Sequence, residues 1–179
     1  MPILDAHRAV AEAGVGTIFA LRFTLDVSVC PANPVYLVVE APERFEITVN
    51  RQPVSSDDVG WWTDISFRKV DVSAVVQAGR NEIVLSGEFA GDTELESIYV
   101  IGDFGVTGRR VGEENRYNGQ VFDRYAPDFR VTDLPDRVQG SDKSDRLSVD
   151  LTAQGLAFFA GRATLRQTVT LPALDGRTS

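Results

Sequence analysis

Hydrophobic and polar residues alternate with a period of two along most of this chain, after a short segment with helical spacing. Residues 5–13 carry Ala6, Val10 and Ala13 at spacings of four and three, and Gly14 follows them, which predicts a short helix. From Thr17 to Cys30 the period is two, and one face of the predicted strand carries the apolar residues Phe19, Leu21, Phe23, Leu25, Val27 and Val29. The chain therefore begins with one helix and continues as β-structure.

Further strands are predicted where β-branched or alternating residues stand between turn-forming residues. They cover residues 35–40, 45–50, 65–70, 82–89, 95–101, 120–125, 129–133 and 162–171. The turn at 31–34 makes 35–40 the expected hairpin partner of the first strand, and 79–81 is the expected turn before 82–89. We also expect one helical turn at 72–77 and a long loop at 107–119, which is rich in Gly, Arg, Glu and Asn.

Many short strands with almost no helix predict an all-β fold, an antiparallel two-sheet β-sandwich of jelly-roll type with a short N-terminal helix. Residues 1–15 form the N-terminal segment, 16–172 the sandwich domain and 173–179 a linker or chain end. The strand at 162–171 either closes this sandwich or opens another. The predicted core consists of alternating apolar residues: Phe19, Leu21, Phe23, Leu37, Val39, Phe45, Ile47, Val49, Ile83, Leu85, Ile98, Val100 and Phe159.

The net charge of the chain limits the kinds of molecule that it is expected to bind. The 179 residues include 18 basic and 26 acidic side chains, which gives a net charge of −8. Proteins that bind phosphate backbones need the opposite balance, so the charge argues against nucleic acid and membrane surfaces as partners. No run approaches the ~20 apolar residues of a membrane helix. The N-terminus lacks the basic start and apolar run of a signal peptide.

Histidine and cysteine counts limit the chemistry. The chain has one histidine, His7, and one cysteine, Cys30, which excludes an internal disulfide, a multi-cysteine zinc site and a site built on two histidines. Cys30 follows an apolar strand, where a buried, unreactive thiol is expected. Only His7 is present to activate a nucleophile.

Acidic pairs are the remaining candidates for catalysis or metal binding. Glu94 and Glu96 share one face of a predicted strand with backbones about 7 Å apart, a separation that permits glycoside hydrolysis by two carboxylates. A solvated sheet face explains the same pattern. The adjacent pairs Asp57–Asp58 and Glu113–Glu114 lie in predicted loops, where they either face water or contribute to a structural calcium site.

Two adjacent tryptophans, Trp61 and Trp62, form the most unusual local feature. Neighbouring residues on an extended chain point to opposite sides, so one indole can enter the core while the other faces outward. A flat exposed indole is a good stacking surface for the apolar face of a sugar ring. The alternative is that both rings pack beneath the loop.

Several strings together resemble a known class of domain. They are residues 37–40, 45–50, 60–64, 67, 71–73, 78–83 and 95–105, followed by 151–161 and 164–171. In this order they are similar to the non-catalytic, sugar-binding-like β-sandwiches, of galactose-binding-domain-like fold, in large bacterial glycoside hydrolases of the family 2 and α-L-rhamnosidase-like kind. The resemblance implies a longer parent whose catalytic carboxylates lie on a separate (β/α)₈ barrel. It is compatible with a secreted or periplasmic parent and assigns no location to this chain. No catalytic residue is therefore carried over to this chain.

The resulting expectation is a non-catalytic, carbohydrate-associated module that binds neutral sugars weakly and has carbohydrate or the parent's catalytic domain as partner. Two alternatives stay open, a purely structural domain that braces a barrel and a small stand-alone glycosidase using Glu94 and Glu96. No cofactor is expected, with structural calcium left open. If sugar binds, the expected site combines an aromatic platform with nearby polar groups: Trp61, Trp62, Asp64, Arg68, Tyr117 and Asn118.

Overall fold

One helix and twelve strands make up most of the regular structure in the part of the chain that the computed structural model describes, residues 3–57, 59–115, 121–126, 128–135, 151–159 and 164. Two short 3-10 turns lie at Pro42–Arg44 and Thr152–Gln154. The helix and strands, in chain order, are α1 Ile3–Ala13, β1 Ile18–Val27, β2 Val35–Glu40, β3 Glu46–Val49, β4 Gln52–Val54, β5 Trp61–Trp62, β6 Asp64–Asp71, β7 Gly79–Glu88, β8 Tyr99–Gly102, β9 Gly105–Thr107, β10 Arg110–Asn115, β11 Val121–Tyr125 and β12 Arg130–Thr132.

The strands form two large sheets and a separate hairpin. The six-stranded sheet has the order β4-β3-β7-β1-β12-β9, the four-stranded sheet the order β5-β6-β2-β8, and β10 pairs with β11. All pairs between these strands are antiparallel except β1 with β12, which run parallel at Asp26 opposite Arg130 and Val27 opposite Val131. The described sheets are thus antiparallel as predicted, apart from the short parallel pairing of β1 with β12.

The core lies between the two large sheets. Alternate residues of β2 and the end of β6 face alternate residues of β3 and β7, so that each sheet covers the apolar face of the other. This arrangement confirms the all-β sandwich with a short N-terminal helix. The buried cluster consists of Val35, Leu37, Val39, Ile47, Val49, Val70, Val72, Ile83 and Leu85.

The predicted core residues fall into three groups. Phe19, Leu37, Val39, Ile47, Val49, Ile83 and Leu85 are buried. A second group packs against the two buried clusters while keeping some exposure: Leu21, Phe23, Phe45, Ile98 and Val100. Phe159 does not belong to the core, since it is 43% exposed. It follows a short 3-10 turn outside the sheets, where alternation carries no information about burial.

The helix covers one end of the sandwich. Ile3 and Val10 on α1 pack against a small cluster formed by Phe19, Phe89 and Leu95. The Gly14 amide donates to the Val10 carbonyl at 3.2 Å, and Gly14 has φ +96°, the left-handed conformation that commonly ends a helix. The predicted helix is thus confirmed, with its start two residues earlier.

Strand partners differ from the predicted hairpins. β2 pairs with β6 and β8, whereas β1 pairs along its whole length with β7. Gly79 to Asn81 belong to β7 and lie opposite the end of β1, so they do not form the predicted turn. Residues 72–77 form a hydrogen-bonded turn in which the Val75 and Val76 amides both donate to the Val72 carbonyl, not a helix. Alternation along one strand fixes which side faces the core but does not identify the neighbouring strand.

The predicted loop at 107–119 contains a strand. β10 pairs with β11 from Asn115 to Arg110, with an irregularity between Arg110 and Gly112. Its polar composition suits a hairpin outside the two main sheets, because hydrogen bonds between backbones do not depend on apolar side chains. The predicted strand at 95–101 is confirmed only for 99–101, which belong to β8. The predicted strand at 162–171 lies outside the described residues except for Thr164, which is not in a strand.

Candidate functional site

The outer face of the four-stranded sheet carries aromatic side chains. Leu37 and Val70 are cross-strand neighbours that face the core, so the residues that alternate with them face the other way. On this outer side Tyr36 lies opposite Asp71, and Val38 lies between Lys69 and Tyr99. We call the rings of Tyr36, Trp62, Phe67 and Tyr99 the outer aromatic face.

Ring contacts hold most of this face together. The centroids of Trp62 and Tyr99 are 5.2 Å apart at an interplanar angle of 51°. Tyr99 also meets Phe67 edge to face, with centroids 5.9 Å apart. Val38, on the same side of the sheet, has 0% exposure although it is outside the main core. The rings therefore form a second apolar layer and do not project singly into water.

Trp61 is the most exposed indole. Its exposed fraction is 54%, and it lies opposite Arg68 on β6. The pairing of β5 with β6 is irregular between Trp61 and Trp62, and Thr63 in the connecting turn has φ +66°. The expectation that one indole enters the core is wrong, because Trp62 packs on the outer aromatic face and neither ring belongs to the clusters between the sheets. The idea that both rings lie beneath the loop also does not hold.

Asp64 begins β6 next to this pair. Its Oδ1 accepts hydrogen bonds from the Ser66 amide and the Ser66 hydroxyl, each at 2.9 Å. These two bonds hold the pKa of Asp64 below its ordinary value, the amide contributing most. The carboxylate is therefore a charged acceptor beside the tryptophans at neutral pH.

Arg68 does not join the outer aromatic face. Arg68 lies between Phe67 and Lys69 on β6, so it points to the opposite face of the strand. Trp61 is its cross-strand neighbour and points to the same face as Arg68. Tyr117 and Asn118 lie outside the described residues. The structure thus brings Trp61, Trp62, Asp64 and Arg68 together at one edge of the sheet.

The other end of β6 is polar. The Lys69 ammonium lies 5.1 Å from the centre of the Tyr36 ring, a cation–π contact. Asp71 Oδ1 accepts from the Ser73 hydroxyl at 2.6 Å and from the Ser73 amide at 2.9 Å, and these bonds hold the pKa of Asp71 below its ordinary value. Asp71 also borders an open cleft of about 280 Å³, which is lined by residues 53–55 at the end of β4 and by residues 73–75 in the turn after β6.

Glu94 and Glu96 lie in an irregular segment before β8 and not on a strand. Together with Glu40 they form a group whose carboxylate oxygens are all within 4.8 Å of one another. Such oxygens are ligands for calcium, but all three side chains are at least partly exposed and such groups commonly occur without an ion. The cleft beside them has room for about 10 Å³, roughly one water molecule.

Other acidic and reactive residues singled out in the sequence have different surroundings where they are described. Glu113 is on β10, not in a loop, and pairs with the Arg110 guanidinium at 2.6 Å. Asp57 is exposed, and Asp58 lies outside the described residues. Cys30 is exposed, not buried, because β1 ends three residues before it. Its thiol lies 3.7 Å from the Val76 carbonyl oxygen.

Sequence reasoning missed Tyr36, Phe67, Tyr99 and Asp71 as members of one surface. The signal was present in part, since Tyr99 alternates with Ile98 and Val100, and Phe67 alternates with Arg68. Which strands lie side by side was not predictable from alternation, and without that order the four residues do not meet.

Comparisons with models of protein families, with curated proteins and with solved structures each find no match to this chain. The resemblance to sandwich domains of glycoside hydrolases therefore stays a prediction. Among the described residues, no helix is both long and apolar enough to cross a membrane.

Proposed function

We propose that this chain is a non-catalytic, carbohydrate-associated β-sandwich module of a larger glycoside hydrolase and that it binds neutral sugars weakly. The observation that supports the proposal is the half-exposed indole of Trp61 on β5, at the edge of the four-stranded sheet. Sugar rings have apolar faces that stack on aromatic rings and hydroxyl groups that need a few directional partners. Trp61 supplies the first requirement, and Asp64 supplies a charged acceptor next to it.

The two tryptophans have different roles in this proposal. Trp62 packs against Tyr99 and supports the surface, whereas Trp61 presents its ring to the ligand. A stacked ring adds about 0.5–1.5 kcal/mol beyond its buried area, so one platform gives dissociation constants in the millimolar range. The net charge of −8 favours neutral over acidic sugars.

The test is a nuclear magnetic resonance titration of the ¹⁵N-labelled chain with rhamnose, galactose and oligomers of plant polysaccharides. We expect Trp61→Ala to remain folded and to lose the sugar-dependent shifts. Ile18→Ala is the control, because Ile18 is 72% exposed on the other sheet and its removal leaves the site intact. Shifts that survive unchanged in Trp61→Ala would contradict the proposal.

The same protein distinguishes the two alternatives. If the wild type shows no shifts with any sugar, a structural role in bracing a catalytic barrel becomes the better explanation. The stand-alone glycosidase gains some support from the proximity of Glu94, Glu96 and Glu40. It predicts turnover of aryl glycosides that Glu96→Gln abolishes, whereas we expect no turnover above a no-enzyme blank.

A further inference from the structure

A strip of surface extends from the outer aromatic face to the cleft at the other end of β6. Phe67 and Asp71 stand four residues apart on the outer side of this strand, about 13 Å at about 3.3 Å per residue. Between them, Lys69 lies over the ring of Tyr36, and Tyr36 is the cross-strand neighbour of Asp71. We call Phe67, Lys69, Tyr36 and Asp71 the β6 strip. One of its ends is aromatic, and its other end is polar and opens into the cleft.

We infer that the β6 strip binds a linear, neutral oligosaccharide of several sugar units lying along β6, an inference that rests on the proposed function. The aromatic end contacts the apolar face of one unit. The carboxylate of Asp71 accepts hydrogen bonds from the hydroxyl groups of a later unit at the mouth of the cleft. A single sugar reaches only one of these ends, because about 13 Å separates them.

The geometry of Asp71 suits this role. Both hydrogen bonds from Ser73 end on Oδ1, which fixes the orientation of the carboxylate and leaves Oδ2 as an acceptor within the described part of the chain. The same bonds lower the pKa of Asp71, so the group is ionised at neutral pH and acts only as an acceptor. Sugar hydroxyls are donors that match it.

Charge favours a neutral sugar over the other occupants of an aromatic face. Each chain carries a net charge of −8, so an acidic polysaccharide is repelled. A second copy of the chain would bring two such charges together. A neutral oligosaccharide meets no such charge repulsion, and it can contact the aromatic end and the polar end of the strip at the same time.

The experiment is isothermal titration calorimetry of the full chain with galactose, xylose and glucose and with their linear oligomers of up to six units. We expect the affinity to rise over the first few units and then to stay constant. Asp71→Asn keeps the bonds from Ser73, because its amide oxygen still accepts them. It should weaken hexasaccharide binding about tenfold and leave monosaccharide binding within about twofold.

Two further variants sharpen the result. Asp26→Asn removes the same charge from the six-stranded sheet, where Asp26 pairs with Arg80, and should leave all affinities unchanged. If Asp71→Asn proves unstable, Tyr36→Ala takes its place: it removes the ring beside Asp71 on the β6 strip and should weaken hexasaccharide binding selectively. A ¹⁵N correlation spectrum of each variant reports whether it folds.

The outcomes separate this inference from the proposed function. Equal affinity for one unit and for six units, with binding lost only in Trp61→Ala, would overturn the inference about the β6 strip and leave the proposed function standing. No binding of any sugar by the wild type would overturn both. Concentration-dependent dimerisation in analytical ultracentrifugation that Tyr99→Ser abolishes would assign the face to a second copy and also overturn the inference.

Discussion

The side-chain amide of Asn81 should be a main determinant of the stability of the sandwich. It has 0% exposure and makes four close hydrogen bonds. Its Nδ2 donates to the carbonyls of Gln77 and Gly79 at 2.7 and 3.2 Å, and its Oδ1 accepts from the Gln77 amide at 2.9 Å and from Asn50 Nδ2 at 2.8 Å. One side chain thus holds the turn before β7 and the turn after β3 together.

Replacing Asn81 with alanine removes all four bonds. At about 0.5–1.5 kcal/mol for each bond, the loss is about 2–6 kcal/mol. Gln77 is exposed, so water replaces part of this loss and the lower half of the range applies, about 2–4 kcal/mol. For a chain of this size we expect a fall in Tm of about 5–15 °C.

Urea unfolding followed by tryptophan fluorescence measures the change in free energy. Arg80→Ala is the matched control. Among the described residues, the side chain of the neighbouring Arg80 forms one exposed ion pair, with Asp26, so the substitution should cost less than about 1 kcal/mol. Asn81→Asp keeps the accepting oxygen but directs a second oxygen at two carbonyls, so it should be at least as destabilising at neutral pH. Equal losses in Asn81→Ala and Arg80→Ala would refute the reasoning.

Two further predictions concern a glycine and a carboxylate. Gly105→Ala should cost about 1–3 kcal/mol in urea unfolding, because the added Cβ would lie 2.5 and 2.9 Å from two backbone carbonyl oxygens, whereas Gly91→Ala, with its nearest neighbour at 3.8 Å, should be nearly neutral. The pKa of Asp71 is lower in the folded protein than its ordinary value of 3.8, so the charged carboxylate stabilises the fold at a pH above 3.8. This contribution is lost as the pH falls through the folded-state pKa. The wild type should therefore lose more stability than Asp71→Asn between pH 5 and pH 2. A parallel loss in both proteins would contradict the assignment to Asp71.

Local patterns predicted the helix, most strands and the faces they bury. The alternation in β1 identifies Phe19 and Val27 as buried while Ile18, Ala20 and Arg22 remain exposed. The same alternation could not show that β1 pairs with β7, since ten cross-strand neighbours come from residues far along the chain. The turn predicted at 79–81 was also wrong. Glycine is common in turns, but Gly79 is the first residue of β7 and has φ +98° there.

The candidate site was predictable only where its residues are adjacent in sequence. Trp61, Trp62 and Asp64 stand together in the chain, and one exposed indole there was expected from the sequence. Tyr99 and Trp62 lie on the two edge strands of this sheet, β8 and β5, and their rings meet across its outer side, a contact that short-range spacing does not contain. The sequence also did not predict that Glu40 lies close to Glu94 and Glu96. These two glutamates stand in an irregular segment that local patterns assigned to a strand.

The parallel junction between β1 and β12 also governs the order in which the larger sheet can form. Its first four strands, β4, β3, β7 and β1, come from residues 18–88, whereas β12 and β9 are supplied by residues 105–132. β12 joins β1 through only two residue pairs, beginning at Asp26 and Arg130. Closing so long a loop for so few contacts is unfavourable early in folding. We therefore expect β12 and β9 to join the sheet after β1 and β7 have paired, and to open more readily than β1 and β7 in hydrogen exchange.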